Sequence, residues 1–417
     1  MYQNFKSLIL VFCVSNLIAS CNKVGIEVPP SNPYLSLDNT QTLSDSQIRN
    51  IEGIYTLASG TDQLGSQFVC KVSKSAISLF SNSGGIYIIL HYGLAADSSI
   101  ILAGFWRYSE SKTQGQVAFT IPAKAGAIAL ISKGVASAVI FNGQLLNGQQ
   151  NGLALSIKYS RAFSIYASAN PFIIFAHHGI QTTDGPPYTE NSLGGAIHAE
   201  DYGVNGLEFD VRLTADHVPI CAHDADIETR VTERGPVCGN YNQYSFAFLD
   251  SFVRLSDGER IASVQQLLDA FVDSTTMKYL WLDIKGDPNV FEYLEPIVRE
   301  AYSRAARQGR DVVIFADLTT PEVIAEYVAW PAYSGLPSVC EISLDEAVQH
   351  HCRYWGPRYS LGLLLDQVEK AHGLGMKVFS WTLNDKDLIS DYLANGKFDG
   401  FITDYPAYVV YDYYTMY

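Results

Sequence analysis

The residues best suited to chemistry are carboxylates that stand two positions apart within apolar segments. Glu208 and Asp210 alternate with the apolar residues of one segment, and Asp283 and Lys285 have the same spacing in another. A strand turns residues two apart to one face, so each pair shares a face. Buried carboxylates repel one another unless a cation joins them. Three carboxylates without thiolate or imidazole partners predict a site for a hard cation, Mg²⁺ or Ca²⁺.

Two histidines end apolar runs close to these carboxylates in the sequence. His177 ends the first run of this half of the chain, and His223 ends the run that follows Asp210. The link after Asp210 is shorter than the dozen or so residues that a parallel crossover needs, so we expect a hairpin that turns near Asp216. The hairpin returns His223 to about the level of Asp210. Two imidazoles beside a cation can act as acid and base at neutral pH, whereas either histidine alone would be more typical of a core.

The runs that bear these residues alternate with amphipathic segments between residues 168 and 417. Strands buried on both sides that alternate with helices are typical of an α/β protein with a parallel sheet. About 250 residues with seven or eight such strands has the size of a (β/α)8 TIM-type barrel. A doubly wound sheet is the alternative, but no G-x-G-x-x-G turn is present in this part. The apolar runs are 172–176, 206–211, 279–284, 312–316, 339–342, 377–381 and 400–403.

A smaller β-rich domain is predicted at residues 49–167. Its β-branched and aromatic runs, among them 85–90, 100–103, 116–121 and 153–159, are separated by Gly, Asn and Ser. Short strands separated by turn residues at such close spacing predict an antiparallel sandwich or barrel. No catalytic constellation is apparent there, and its role stays open among a binding module, a spacer and a lid.

The start of the chain has the features of a bacterial lipoprotein signal peptide, predicted at residues 1–20. Lys6 precedes an apolar run that is much shorter than the roughly 20 residues needed to span a bilayer. Ile18-Ala-Ser-Cys21 then resembles a lipobox, so Cys21 would carry lipid and residues 21–48 would form a tether. We expect an exported protein anchored through Cys21 to a membrane of the bacterial envelope, either periplasmic or at the cell surface.

Net charge excludes one class of partner. The chain has 43 acidic and 28 basic side chains, a formal charge of −15. Nucleic acids are bound through clustered Lys and Arg, and no basic run exists here, so we expect no nucleic-acid partner.

Five cysteines follow residue 21, and their spacing leaves two alternatives open. Cys221 with Cys238, and Cys340 with Cys352, are the close pairs, while Cys70 has no near partner. Disulfides persist in exported proteins, but spacing alone does not decide connectivity. Two disulfides and five buried thiols therefore remain equally compatible with the sequence.

Taken together, the motifs resemble the glycerophosphodiester phosphodiesterase family over residues 172–408. The His-His-Gly at 177–179 is similar to that family's His-Arg-Gly, and the Glu-Asn-Ser at 190–192 to its Glu-Asn-Thr. The Glu-Phe-Asp-Val-Arg that begins at Glu208, followed by the His-Asp at 223–224, resembles the family's central signature. Further segments that resemble the family, in the same order, are 261–267, 381–384 and 399–406.

The resemblance implies a distorted (β/α)8 barrel that hydrolyses a phosphodiester with one divalent cation, Ca²⁺ or Mg²⁺. By the family's pattern, Glu208, Asp210 and Asp283 would hold the metal. The substrate would be a small glycerophosphodiester or a lipid headgroup. His177 and His223 would form the acid–base pair, and we assign His223 as base and His177 as acid.

The resemblance also implies substrate contacts, and three positions depart from it. Lys285 would face the phosphate, and Trp381 would line the pocket. His178 replaces an Arg that resembles a phosphate contact, and Arg is a permanent cation whereas neutral His is not. Asp283 replaces the more usual Glu, and His217 stands where Gly usually follows the turn.

These departures leave two alternatives to a phosphodiesterase that acts on glycerophosphodiesters outside the cytoplasm. Asp283-Ile-Lys285 is similar to the spider-type sphingomyelinase D enzymes, so one alternative is phospholipase-D-like action on lyso or intact phospholipids. The other is a non-catalytic surface binding lipoprotein that has lost turnover through His178. The insertion at residues 225–257 covers the expected site and would influence pocket depth.

Overall fold

The structure is a computed structural model that describes residues 37–74, 76–111, 113–146, 152–180, 188–330 and 335–417. The predicted signal peptide, Cys21 and most of the predicted tether lie outside these residues. Among the helices of the described ranges, none is long and apolar enough to cross a membrane.

The first half forms a closed barrel of eight antiparallel strands, in which β8 pairs with β1. Of the sandwich and the barrel that the sequence allowed, the barrel is therefore the observed fold. Two short helices, α1 (Asp45–Ile48) and α2 (Ile128–Lys133), add Ile48 and Leu130 to the apolar core inside it. The strands are β1 Gly53–Gly60, β2 Gln67–Val72, β3 Ile77–Ser81, β4 Ile86–Leu94, β5 Ile100–Arg107, β6 Gln114–Ile121, β7 Ile140–Leu146 and β8 Leu153–Arg161.

The last residues of the predicted tether belong to this barrel. Gln41 pairs with Leu94 at the end of β4, and Leu43 and Ile48 are buried. Apolar side chains at these two positions favour burial over solvation, so the chain from Gln41 to residue 48 packs on the barrel instead of forming a tether.

The second half is the predicted (β/α)8 barrel. Its parallel strands follow the order β9-β10-β12-β13-β14-β15-β16-β17, and β17 pairs with β9 to close the ring. The strands are β9 Ile173–Ala176, β10 Gly206–Leu213, β11 Pro219–Cys221, β12 Tyr279–Ile284, β13 Val313–Leu318, β14 Ser338–Cys340, β15 Tyr354–Trp355, β16 Lys377–Ser380 and β17 Gly400–Thr403. The helices are α3 Ile165–Ala169, α4 Leu193–His198, α5 Phe246–Phe252, α6 Val264–Ser274, α7 Val290–Arg307, α8 Pro321–Ala329, α9 Leu344–Gln349, α10 Leu365–Gly373, α11 Lys386–Asn395 and α12 Pro406–Met416.

One strand of this barrel is absent from the sequence prediction, and one extra strand reverses direction. β15 has two residues, Tyr354 and Trp355, which is too short for an apolar run to be recognised. β11 runs antiparallel to β10 and pairs Val211 with Cys221, which confirms the predicted hairpin. The carboxyl ends of the parallel strands meet at one mouth, where barrels of this type place their active sites.

The two barrels share an apolar core. Both faces of β3 are buried: Ile77 and Leu79 point into the first barrel, and Phe80 packs against the second. The short turn Ala199–Tyr202 and the helix α12 cover this outer face. A Cβ at Gly203 would lie 2.7 Å from Val410 Cγ2 and 2.9 Å from Phe80 Cζ, so the barrels approach too closely for a larger residue.

Polar contacts add to this interface. Ser78 Oγ donates a hydrogen bond of 2.6 Å to the carbonyl of Asp201, and Ser73 Oγ donates to its carboxylate. On α12, Tyr408 donates to Glu110 at 2.8 Å, and Tyr411 donates to Gln67 at 2.9 Å. The first barrel thus packs directly on the second through both apolar and polar contacts.

The five cysteines of the described residues are free thiols, four of them buried and Cys238 exposed. Of the two alternatives left open by spacing, the thiol state is the observed one. Cys340 and Cys352 nevertheless hydrogen-bond to each other, and this contact lowers the pKa of Cys340 to about 7.

Replacing Phe80 by Ala should destabilise both barrels together. The lost side chain is fully buried between them, and a large-to-small change at such a site costs about 3–5 kcal/mol in the free energy of unfolding. Urea unfolding followed by tryptophan fluorescence and by circular dichroism measures this. Ile165→Ala, at a position 90% exposed, is the control and should change stability by less than about 0.5 kcal/mol. A loss below about 1 kcal/mol for Phe80→Ala would contradict the shared core.

Candidate active site

Three carboxylates meet at the mouth of the second barrel because of strand register. β10 and β12 are parallel neighbours in which Asp210 is opposite Asp283, and Glu208 is two residues earlier on β10. One oxygen atom from each of Glu208, Asp210 and Asp283 lies within 4.8 Å of the others. The structure therefore brings together the three residues that the period of two in the sequence assigns to one site.

Burial makes this cluster electrostatically costly. Burial and the nearby charges of Asp210 and Asp283 raise the pKa of Glu208 well above its usual value. Burial also raises the pKa of Asp283, against the opposing charge of Lys285. For Asp210 the effect of burial is outweighed by His178, Lys285 and Asn191, which hold its pKa below the usual range.

Lys285 and neutral donors offset part of the negative charge. Lys285 Nζ lies 2.7 Å from Asp210 Oδ1 and 2.5 Å from Asp283 Oδ2. The backbone N–H of His178 donates to Glu208 Oε2 at 2.7 Å, and Asn191 Nδ2 donates to Asp210 Oδ2 at 2.6 Å. The sequence prediction did not include Asn191 among the site residues. The Glu-Asn motif at 190–191 was the signal that could have identified it.

The oxygen cluster fits a divalent cation. Within the described residues, the buried atoms Glu208 Oε1 and Asp283 Oδ1 accept no hydrogen bond. Buried carboxylate oxygens without a donor are energetically unfavourable, and a cation would satisfy both. Oxygen-only ligands suit Mg²⁺ and Ca²⁺ equally.

Both predicted histidines lie at the same mouth, and each is held by a carboxylate. His177 Nδ1 is 2.7 Å from Asp404 Oδ1, and His223 Nδ1 is 2.9 Å from Asp224 Oδ1. A partner on Nδ1 fixes the ring, so Nε2 is the atom left for chemistry. Both rings line the same cleft.

The partners of the histidines come from distant parts of the chain. Asp404 follows β17, which pairs with β9 to close the barrel, and Asn384 donates to Asp404 Oδ2 at 2.5 Å. Asp224 accepts from Arg230 Nη2 at 2.6 Å, and Arg230 also binds Glu190. Arg230 therefore ties the insertion at residues 225–257 to the group that orients His223. These partners were not among the predicted site residues.

His178 stands between the two other imidazoles. Its ring centroid is 3.7 Å from that of His177 and 5.2 Å from that of His223. Burial lowers the pKa of His178 to about 3, so the ring is neutral near pH 7. Its Nε2 is 3.4 Å from Asp210 Oδ2. His178 therefore lines the site without the positive charge that an Arg would supply there.

The cleft at this mouth has a volume of about 410 Å³. Lys285 and Trp381 line it as predicted, and Glu341 and Arg358 line it without having been predicted. Trp381 Nε1 donates to the carbonyl of Gly356 at 2.7 Å, and the Arg358 guanidinium lies 4.6 Å from the centroid of the Trp381 ring. The cleft therefore offers two cationic side chains and an aromatic wall.

Comparison with known proteins finds similarity to one family. Residues 182–301 match the model of the glycerophosphoryl diester phosphodiesterase family. A protein of Caldanaerobacter subterraneus named glycerophosphodiester phosphodiesterase is 23% identical over 248 residues, which are 57% of this chain and 96% of the relative. The family resemblance inferred from the sequence is therefore confirmed.

Solved structures of similar proteins cover the same part of the chain. A phosphodiesterase of Oleispira antarctica, solved in complex with the product sn-glycerol-3-phosphate, is 21% identical, with a TM-score of 0.45 over 58% of this chain and 96% of that one. A glycerophosphodiester phosphodiesterase of Parabacteroides distasonis is 22% identical, with a TM-score of 0.44 over 56% of this chain and 93% of that one.

The neutral state of His178 is open to a direct test in metal-free protein. Because burial lowers its pKa to about 3, we expect its ring NMR signals to stay constant from about pH 7.5 to about pH 4.5. His198 is the internal control: its hydrogen bond with Asp201 raises its pKa, so it should titrate above the usual value of about 6.5. A His178→Asn variant assigns the signal. Titration of His178 near pH 6.5 would contradict the burial argument.

Proposed function

We propose that this chain, with a barrel that resembles the glycerophosphodiester phosphodiesterases, hydrolyses glycerophosphodiesters to an alcohol and glycerol phosphate. The observation that carries the proposal is the pair His177 and His223 beside a carboxylate cluster that fits a cation. Each imidazole has a carboxylate on Nδ1, which is the arrangement that a general acid or base needs. The name of the curated relative supports the same reaction.

Glu208, Asp210 and Asp283 would hold one divalent cation, Ca²⁺ or Mg²⁺. Such a cation neutralises non-bridging phosphate oxygens and lowers the pKa of a bound hydroxyl. Lys285 adds positive charge next to the same carboxylates, where the transition state gathers negative charge. With His178 neutral, Arg358 is the side chain of the cleft that supplies a permanent guanidinium for the phosphate.

The two histidines divide the proton transfers. His223 accepts the proton of the attacking hydroxyl at Nε2, while Asp224 holds its Nδ1–H and stabilises the imidazolium. His177 donates a proton from Nε2 to the oxygen of the leaving alkoxide, with Asp404 in the matching position. Neutral His178 between them limits the repulsion when one of the two rings is charged.

The alternatives have less support. A phospholipase-D-like reaction is not the activity named by the family model or the curated relative. A non-catalytic binding protein would have no need of two carboxylate-oriented imidazoles. No observation in the cleft favours either alternative over the hydrolase.

Replacing either histidine should abolish most of the activity. We expect His223→Ala and His177→Ala to lower kcat/KM on glycerophosphocholine by about 10²–10⁴-fold, because each removes one proton transfer. EDTA should abolish activity, and Ca²⁺ or Mg²⁺ should restore it. The assay detects release of glycerol phosphate from glycerophosphocholine and glycerophosphoethanolamine, and of acylglycerol phosphate from lysophosphatidylcholine.

The matched control is His372→Ala, which removes a surface imidazole bonded to Asp399 and should leave the rate unchanged. An undiminished rate for His223→Ala would rule out the acid–base assignment. Activity that is insensitive to EDTA would rule out the cation. Hydrolysis of lysophosphatidylcholine in preference to the water-soluble diesters would favour the phospholipase-D-like alternative.

We further propose that the chain is exported and anchored through lipid on Cys21, as its lipobox-like segment indicates. The substrate would then be met outside the cytoplasm. This proposal rests on the sequence of residues 1–21, which lie outside the described part of the chain.

Cys21→Ser should release the protein from membranes if Cys21 carries the anchor. We expect the unsubstituted protein to enter the detergent phase of a Triton X-114 separation and to incorporate labelled palmitate, and the variant to do neither. Cys238→Ser, which changes an exposed thiol of the folded part, is the control and should behave like the unsubstituted protein. Label in the Cys21→Ser variant would disprove the anchor.

A further inference from the structure

A buried arginine lies between the two barrels, outside the catalytic cleft. Arg107 ends β5, and its side chain is only 1% exposed. It shares one face of β5 with Phe105, which packs on the core that the two barrels have in common. In the register of the sheet, Arg107 is opposite Tyr87 on β4 and Gln114 on β6. The guanidinium therefore belongs to a row of side chains on the outer face of the first barrel.

Aromatic side chains cover this row. Tyr202, from the turn Ala199–Tyr202 of the second barrel, packs edge-on against Tyr87 with ring centroids 5.1 Å apart. Phe105 packs against the same ring at 6.3 Å. Burial raises the pKa of Tyr87 and of Tyr202, against the opposing charge of Arg107. Both phenols therefore stay neutral near pH 7, and neither provides a negative charge for the guanidinium.

Within the described ranges, the guanidinium of Arg107 has one hydrogen-bond partner and no counter-charge. Its Nη1 donates to Gln114 Oε1 at 3.2 Å. Its Nε and Nη2 are buried and donate to no acceptor, and no described carboxylate forms an ion pair with it. The hydroxyl of Tyr87, on the residue directly opposite, is also buried without a partner. Two neighbouring residues thus present three unsatisfied buried donor atoms.

These donors are suited to an anion. A buried charge without a partner is strongly unfavourable, and a buried donor without an acceptor adds to that cost. Arginine cannot relieve the cost by losing its proton, because its guanidinium stays protonated throughout the pH range in which proteins are folded. A neutral acceptor would satisfy the hydrogen bonds but not the charge, whereas an anion would satisfy both.

We propose that Arg107 and Tyr87 form a binding site for a small monovalent anion, with chloride as the reference ligand. Directly opposite residues of an antiparallel pair have Cβ atoms about 4.5–5.5 Å apart, so the guanidinium and the phenol can reach the same ligand. One guanidinium balances one negative charge, and an exposure of 1% leaves no opening for a large anion. The site is independent of the proposed hydrolysis and gives the first barrel a binding role.

The test follows thermal unfolding while chloride replaces gluconate, an anion too large for the site, at constant ionic strength. A ligand that binds only the folded state raises the melting temperature, so we expect a saturable rise with chloride for the unsubstituted chain. Arg107→Met removes the charge and should abolish the rise. Tyr87→Phe keeps the ring and removes one donor, and should weaken the apparent Kd for chloride about tenfold.

Lys158→Met is the matched control, because it removes one positive charge from an exposed position of the same barrel. It should keep the chloride dependence of the unsubstituted chain. Circular dichroism establishes that each variant is folded. An unchanged chloride dependence in folded Arg107→Met, or no chloride dependence in the unsubstituted chain, would overturn the inference.

A second measurement keeps the inference testable if Arg107→Met fails to fold. Crystals of the unsubstituted protein soaked in sodium bromide locate the anion by its anomalous scattering. A peak within hydrogen-bond distance of Arg107 Nε or Nη2 supports the site, and the absence of a peak there contradicts it. A peak without any effect of chloride in solution would mean binding at crystal concentration only, which also contradicts the inference.

Discussion

Three carboxyl groups with oxygen atoms within 4.8 Å of one another would destabilise the mouth of the second barrel if nothing offset their repulsion. Lys285, the amide of Asn191 and the backbone N–H of His178 provide that offset. The segments that supply two of these donors also position the proton-transfer groups. His178 directly follows His177 in the chain. Asn191 directly follows Glu190, and Glu190 binds Arg230, which in turn binds Asp224. The geometry of the histidines and the stability of the carboxylates therefore depend on the same short loops.

Much of this site could be predicted from the sequence because it depends on local geometry. The period of two along a strand placed Glu208 beside Asp210, and the short link to β11 required the hairpin that returns His223. Strand patterns likewise predicted the barrel of the second half. In each case the inference needed only a few consecutive residues and the geometry of one or two elements.

Features that depend on closure or on distant pairing could not be predicted in this way. Asp404 reaches His177 only because β17 pairs with β9. A two-residue strand such as β15 has no periodicity to recognise. The outer face of β3 is apolar because α12, more than 320 residues later in the chain, covers it. As a result β3 is buried on both faces, unlike an ordinary surface strand.

The position of α12 in the chain affects how the protein is made. Of the described elements, α12 is last in the chain, although it contacts β2 and β3 near the start of the fold as well as its neighbours α11 and β9. Until α12 docks, part of the outer face of β3 around Phe80 stays exposed. Apolar surface that is exposed before folding is complete favours aggregation. Docking of α12, rather than closure of the first barrel, is thus the event that protects this face.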